Sequence, residues 1–202
     1  MELGTGGAND VRMIGVAIVD DHRAVTAGLE ELLRLEPDLA PVGAAADGAE
    51  LAPLVYRARP DVVVLDYALP EEDGLLVCRR LKGEIPAPGV VLYSAFAGSS
   101  LAMPAIVAGA DAVVDKAAPV RELLQAIRLV AAGEPAMPVP SRQQLEAASA
   151  VLRTEDLPIM AMLIDRTPTY EIAEVLRIAP AELNRRMAGM LGRLRAPISA
   201  HR

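Results

Sequence analysis

The sequence predicts an α/β chain: a doubly wound parallel sheet followed by a small all-α module. Three observations carry this. Short apolar runs rich in β-branched residues, such as Ile14 to Val19, Val62 to Leu65 and Val90 to Tyr93, show no polar alternation, as in strands buried on both faces. Segments with apolar residues at helical spacing separate them. From about Leu152 onward the spacing is helical only.

Taken in order, Ile14 to Val19 is the first strand and ends in Asp20-Asp21-His22. Val25, Leu29, Leu32 and Leu33 then form one helix face, stopped by Pro37. Pro41 to Ala45 is a short, weak strand, and Asp47-Gly48 turns into a helix with Leu51, Leu54, Val55 and Ala58 inward. Val62-Val63-Val64-Leu65 runs into Asp66, and Pro70 and Gly74 turn the chain before a helix carrying Leu75, Leu76 and Leu81. Val90 to Tyr93 ends at Ser94, and a short helix begun at Pro104 follows with Ile106 and Val107. Ala112-Val113-Val114 closes on Asp115-Lys116, and Pro119 starts a helix with Leu123, Leu124, Ile127 and Val130. Five βα units of this length suit one domain. Right-handed crossovers leave few topologies, of which the flavodoxin-like strand order 2-1-3-4-5 is the common one.

This gives a leader at 1–13, read as disordered, an α/β domain at 14–133 and a proline-containing, semi-rigid linker at 134–150 with a helix from Ser141. A helical module at 151–196 and a tail at 197–202 follow. In the module, Leu157, Ile159, Met160 and Leu163 form one helix. Thr169 caps a second with Ile172, Ala173 and Leu176 inward, and a third carries Leu183, Met187, Met190, Leu191 and Leu194. Two short helices joined tightly read as helix-turn-helix.

Composition narrows the function classes. The net charge of −7 is uneven: residues 1–149 hold 12 Lys/Arg against 21 Asp/Glu, and residues 150–202 hold 8 against 6. Only the second part favours a polyanion, and weakly. No apolar run approaches the ~20 residues that span a bilayer, and the start lacks a signal-peptide pattern. The single cysteine, Cys78, excludes an internal disulfide, reads as core packing and fits a reducing cytoplasm. One cysteine and two histidines leave little for a zinc site.

In an open parallel sheet the C-terminal strand ends form the ligand crevice. The predicted order brings Asp20-Asp21, Asp66, Ser94 and Lys116 to that edge. Each alone has a bland account: a helix cap, a loop residue, a solvated charge. Together, three carboxylates repel unless a cation neutralises them, and an all-oxygen site of few protein donors suits Mg²⁺. A carboxylate beside Mg²⁺ can accept a phosphoryl group, whose charge Lys116 offsets and whose oxygen the Ser94 hydroxyl can bond.

These residues resemble the receiver domain of two-component response regulators: Val19-Asp20-Asp21-His22, Asp66 to Pro70 with Asp73-Gly74, Ser94-Ala95, and Gly109-Ala110 leading to Lys116. Asp-Asp-His and Gly28-Leu29 are similar to the NarL/LuxR (FixJ-like) branch. The resemblance implies that Asp66 accepts phosphate from a sensor histidine kinase. It implies that Asp20, Asp21, Asp66 and the backbone carbonyl of Ala68 hold Mg²⁺, with Ser94 and Lys116 on the phosphoryl group. It departs from the family pattern at Val113, where an aromatic residue is usual, and at Pro104. Residues 152–196 resemble a LuxR-type DNA-binding domain, with Glu171-Ile172-Ala173 and Leu176 on the scaffold helix. That likeness implies DNA contacts from Asn184, Arg185, Arg186 and Arg193, residue types that read bases and phosphates. Here Ala179, Glu182 and Arg166 depart from the pattern. The implied protein is a cytoplasmic, homodimeric transcription regulator with no turnover beyond its own phosphorylation and dephosphorylation. One alternative is an effector that works by protein contact. A Mg²⁺ phosphatase is a weaker one, since Ala68 stands where such enzymes place a second Asp.

Overall fold

The computed structural model describes residues 12–70, 72–95, 100–134 and 136–199, with side chains as far as Arg195. Most of the expected leader lies outside the described residues. The first half alternates β1 (Ile14–Val19), α1 (Arg23–Leu35), β2 (Leu39–Ala45), α2 (Gly48–Ala58), β3 (Val62–Asp66), α3 (Gly74–Leu81), β4 (Gly89–Ser94), α4 (Ala102–Ala108), β5 (Ala112–Asp115) and α5 (Val120–Ala131). The five strands pair in parallel in the order β2-β1-β3-β4-β5, as expected.

Alternation along each strand divides the core in two. Val16, Ile18, Val62, Val64 and Val91 face α1 and α5, whereas Ala17, Val19, Val63, Leu65, Val90 and Leu92 face α2, α3 and α4. Burial on both faces explains why these runs carry no polar alternation. Cys78 sits in the second core, as expected, and burial pushes its thiol up to about 12.

Three local expectations are corrected. β2 begins at Leu39, two residues before Pro41; β2 is an edge strand, where a missing N–H is tolerated. α4 begins at Ala102, ahead of Pro104, which takes a first-turn position whose N–H has no intrahelical acceptor. Thr169 is the first residue of its helix and not its cap; Pro168 occupies the cap position.

The C-terminal half is helical: α6 (Arg142–Val151), a 3₁₀ turn (Thr154–Asp156), α7 (Leu157–Ile164), α8 (Thr169–Val175) and α9 (Pro180–Ser199). α6 starts in a capping box, with Ser141 and Gln144 each satisfying the other's backbone N–H. These helices close over α4, whose sequence Ala-Met-Pro-Ala-Ile-Val-Ala has no charged residue. α9 packs along α4, with α7 and α6 beside it, so one apolar core runs from the sheet through Met103 and Ala105 to Met187, Met190, Leu191 and Leu194.

Candidate functional site

Four strand ends deliver the expected groups to one edge. Asp20 follows β1, Asp66 ends β3, Ser94 ends β4 and Lys116 follows β5. All but Lys116 are buried: Asp20 is 3 % exposed, Asp66 4 % and Ser94 0 %. Lys116 Nζ lies 2.6 Å from Asp20 Oδ2 and 2.9 Å from Asp66 Oδ2. The Lys116 backbone N–H donates to the Ser94 carbonyl at 3.0 Å, which fixes where the ammonium starts. Burial pushes the Lys116 pKa down, but the hydrogen bonds to Asp20 and Asp66 outweigh it, and the net shift is upward. The amine is therefore charged throughout the neutral range. It also stands 5.8 Å from the Tyr93 ring centroid, within cation–π reach.

The other carboxylate oxygens are tied to the backbone. Asp20 Oδ1 accepts from the His22 N–H at 2.8 Å, and Asp66 Oδ1 from the Ala68 N–H at 3.2 Å. Asp21 differs. Its Oδ1 is shielded from solvent and accepts no hydrogen bond among the described residues, although His22 Nδ1 lies 2.8 Å away. A shielded carboxylate oxygen whose near neighbour is an imidazole nitrogen out of hydrogen-bond geometry is better compensated when a cation meets it. One ligand atom each from Asp20, Asp21, His22 and Asp66 falls within 4.8 Å of the others. The donor set fits a hard divalent ion such as Mg²⁺, which needs few carboxylates and keeps its waters. His22 was not expected among these groups, although its position after Asp20-Asp21 was the available signal.

The loop behind Asp66 is tight. The Gly74 N–H donates to the Tyr67 carbonyl at 3.0 Å, and Ala68 and Asp73 form an antiparallel bridge. A Cβ on Gly74 would lie 2.2 Å from the Asp66 carbonyl oxygen, so only glycine fits there. Asp73 caps α3 by accepting from the Leu75 N–H at 2.8 Å.

The residues expected to face DNA all lie on α9, but in different settings. Asn184 takes a hydrogen bond from Arg79 of α3, at 2.7 Å to its carbonyl and 3.3 Å to Oδ1. Arg185 is 70 % exposed and ion-paired with Glu182 on its own helix. Arg186 Nε meets Asp156 Oδ1 at 2.9 Å and Arg193 lies 3.4 Å from Asp156 Oδ2; that carboxyl group is almost fully buried. Two of the four thus serve a buried ion-pair group inside the module. Arg195 was not singled out in the sequence, yet its Nε donates to Asp73 Oδ2 at 2.9 Å.

An acidic cluster faced by a lysine at the C-terminal edge of a doubly wound sheet of order 2-1-3-4-5 defines the receiver class. The model of the response regulator receiver domain matches residues 16–128, and the chain belongs to the response-regulator family. Among curated relatives it is similar to the transcriptional regulatory protein LiaR of Bacillus subtilis, 28 % identical over 94 % of this chain and 98 % of that one. It is also similar to the DNA-binding transcriptional activator DevR/DosR of Mycobacterium tuberculosis, 39 % identical over 60 % of this chain and 56 % of that one. Among solved structures it resembles a LuxR-family two-component response regulator from Aurantimonas sp. SI85-9A1. That match has a TM-score of 0.60 and 32 % identity, and covers 68 % of this chain and 99 % of the other. The chain is accordingly a two-component response regulator of the NarL/LuxR kind. Among the described residues no helix is long and apolar enough to cross a membrane.

Proposed function

We propose that this response regulator is phosphorylated on Asp66 by a sensor histidine kinase and regulates transcription through its C-terminal helix-turn-helix module. The observation that supports the site is the Lys116 ammonium between Asp20 and Asp66, beside an Asp21 oxygen that accepts no hydrogen bond. An Asp66 carboxylate oxygen attacks the phosphorus of a phosphohistidine. The P–O bond forms as the P–N bond breaks, and the leaving imidazole nitrogen takes up a proton. Asp20, Asp21, Asp66 and the Ala68 carbonyl would hold Mg²⁺, which neutralises the acidic cluster and a phosphoryl oxygen when bound. Lys116 shifts its charge from the two carboxylates toward the new phosphoryl oxygens. The Ser94 hydroxyl donates to one of them.

The output follows from where α9 lies. In the resting arrangement it packs on α4, and Arg79 holds Asn184. Phosphorylation changes this packing and releases α9 for the major groove, as a cytoplasmic homodimer on paired half-sites. In the effector, Arg185 and Asn184 are the favoured base and phosphate contacts.

A second reading has one observation behind it: Arg186 and Arg193 are engaged by Asp156 and Arg185 by Glu182. An effector whose expected DNA-facing arginines are engaged in this way can work through protein contact. Two experiments test these readings. Self-association driven by Mg²⁺ and a phosphate analogue is expected in the wild type and absent in Asp66→Ala; persistence in that variant removes the Asp66 assignment. Affinity for duplex DNA that falls steeply with salt supports the DNA reading. No binding at low salt favours protein contact.

A further inference from the structure

Arg195 lies two turns beyond Ala188 on α9, in the C-terminal module, yet it ends on the phosphoacceptor loop. Its Nε and a terminal nitrogen lie 2.9 and 2.8 Å from Asp73 Oδ2. The pair is well shielded, with side-chain exposures of 24 % for Arg195 and 7 % for Asp73. A charge-assisted contact so placed is screened less than an exposed ion pair.

Asp73 divides its carboxylate between the two halves of the protein. Oδ1 caps α3 through the Leu75 N–H, and Oδ2 takes Arg195. Asp73 is bridged to Ala68 across the loop, and the Ala68 N–H bonds Asp66 Oδ1 at 3.2 Å. The next residue, Gly74, is hydrogen-bonded to Tyr67 and is packed so closely under Asp66 that no Cβ fits. A displacement of Asp73 is therefore carried to Ala68 and to the orientation of the Asp66 carboxylate. A second polar bridge between α3 and α9, Arg79 to Asn184, is exposed and, among the described residues, makes no hydrogen bond to this loop.

We infer that Arg195 is a positioning residue for the phosphoacceptor loop: through Asp73 it holds the loop around Asp66 in its resting geometry while α9 is docked. The inference rests on Asp66 being the phosphoacceptor. Linkage then fixes the sign and the reciprocity. If the docked arginine holds the loop against the phosphorylated arrangement, a phosphoryl group on Asp66 weakens docking by the same factor. The message from Asp66 thus has a direct polar route to α9, separate from the apolar contact with α4.

The test uses the full-length chain, with Mg²⁺ and beryllofluoride as the phosphoryl probe, in calorimetric titrations of wild type, Arg195→Ala, Arg195→Lys and Arg79→Ala. Arg195→Ala is expected to bind the probe about tenfold more tightly. Arg195→Lys should recover most of the wild-type value, and Arg79→Ala should stay within about twofold of it. A second readout needs no probe: amide exchange at Ala68 and Gly74 should quicken in Arg195→Ala and not in Arg79→Ala, with the strand amides unchanged. An Arg195→Ala chain that binds the probe no more tightly and keeps wild-type protection at these amides overturns the inference. So does an Arg79→Ala chain that reproduces the whole effect, because docking in general would then carry it. If the wild type takes up no probe, or Asp66→Asn still does, the proposed function fails instead; the exchange measurement then decides the loop restraint by itself.

Discussion

Arg186 on α9 and Asp156 at the end of the 3₁₀ turn meet at 2.9 Å, with the Asp156 side chain only 3 % exposed. Arg193, two turns further along α9, reaches the other carboxylate oxygen at 3.4 Å. The two arginines staple α9 to the start of α7. Removing one partner of a buried pair leaves a charge uncompensated, which costs about 3 kcal/mol or more. Asp156→Ala and Arg186→Ala should both lower the urea midpoint of the C-terminal module without DNA present. If Arg186→Ala weakened DNA binding at unchanged stability, the residue would belong to the DNA surface and not to the fold.

Arg185 supports the opposite expectation. It is 70 % exposed and its partner Glu182 is 41 % exposed, so the pair adds little to stability. Arg185→Ala should leave the urea midpoint unchanged, weaken binding to duplex DNA and lower the salt slope by about one. Glu182→Gln should do the reverse, because it frees the guanidinium and removes a carboxylate that phosphates repel. Filter binding or anisotropy across a salt series checks both signs.

The sheet was legible because its strands are buried on both faces and write themselves as unbroken apolar runs. Asp20, Asp66, Ser94 and Lys116 were legible because a parallel sheet sends every strand end to one edge. The contacts of Arg186, Arg193 and Arg195 were not. An arginine on a helix reads alike whether it faces solvent, a nucleic acid or a buried carboxylate 122 residues away, as with Arg195 and Asp73. Pro104 and Thr169 misled for a local reason: either residue can begin a helix or sit just inside it, and only the backbone ahead of it decides.

The acidic cluster makes a prediction about charge. Lys116 is the cation between Asp20 and Asp66, so Lys116→Met should lower thermal stability without divalent ions, by leaving two buried carboxylates to repel. Added Mg²⁺ should then stabilise this variant more than the wild type. In the wild type, Mg²⁺ at a hundred times its Kd should add about 2.7 kcal/mol. Asp21→Asn should lose most of that gain, and without the ion it should be no less stable than the wild type, because one of the three mutually repelling carboxylates is gone and the Asp21 contact it gives up is an exposed ion pair with His22. Equal Mg²⁺ shifts in the wild type and Asp21→Asn would exclude Asp21 as a ligand.

Far from the site, Arg128 of α5 clamps the turn between α1 and β2, with Nε 2.7 Å from Asp38 and a terminal nitrogen 2.6 Å from Glu36. The hydrogen bond from Arg128 holds the Asp38 carboxyl below its ordinary 3.8, against the opposing effect of burial. A carboxyl depressed in the folded state adds stability that is present above its unfolded pKa and is lost as pH falls through the folded one. Glu72, depressed from 4.5 first of all by its hydrogen bond from Arg80, acts in the same direction. Arg128→Gln should therefore lower the urea midpoint at neutral pH. The difference from wild type should narrow as pH drops below about 4, where Asp38 is protonated in the unfolded chain. Arg80→Gln should narrow likewise over a window set slightly higher by the glutamate. A gap for Arg128→Gln that stays constant from pH 7 to well below that window would mean that α5 packing, and not the charge on Asp38, carries the contribution of Arg128.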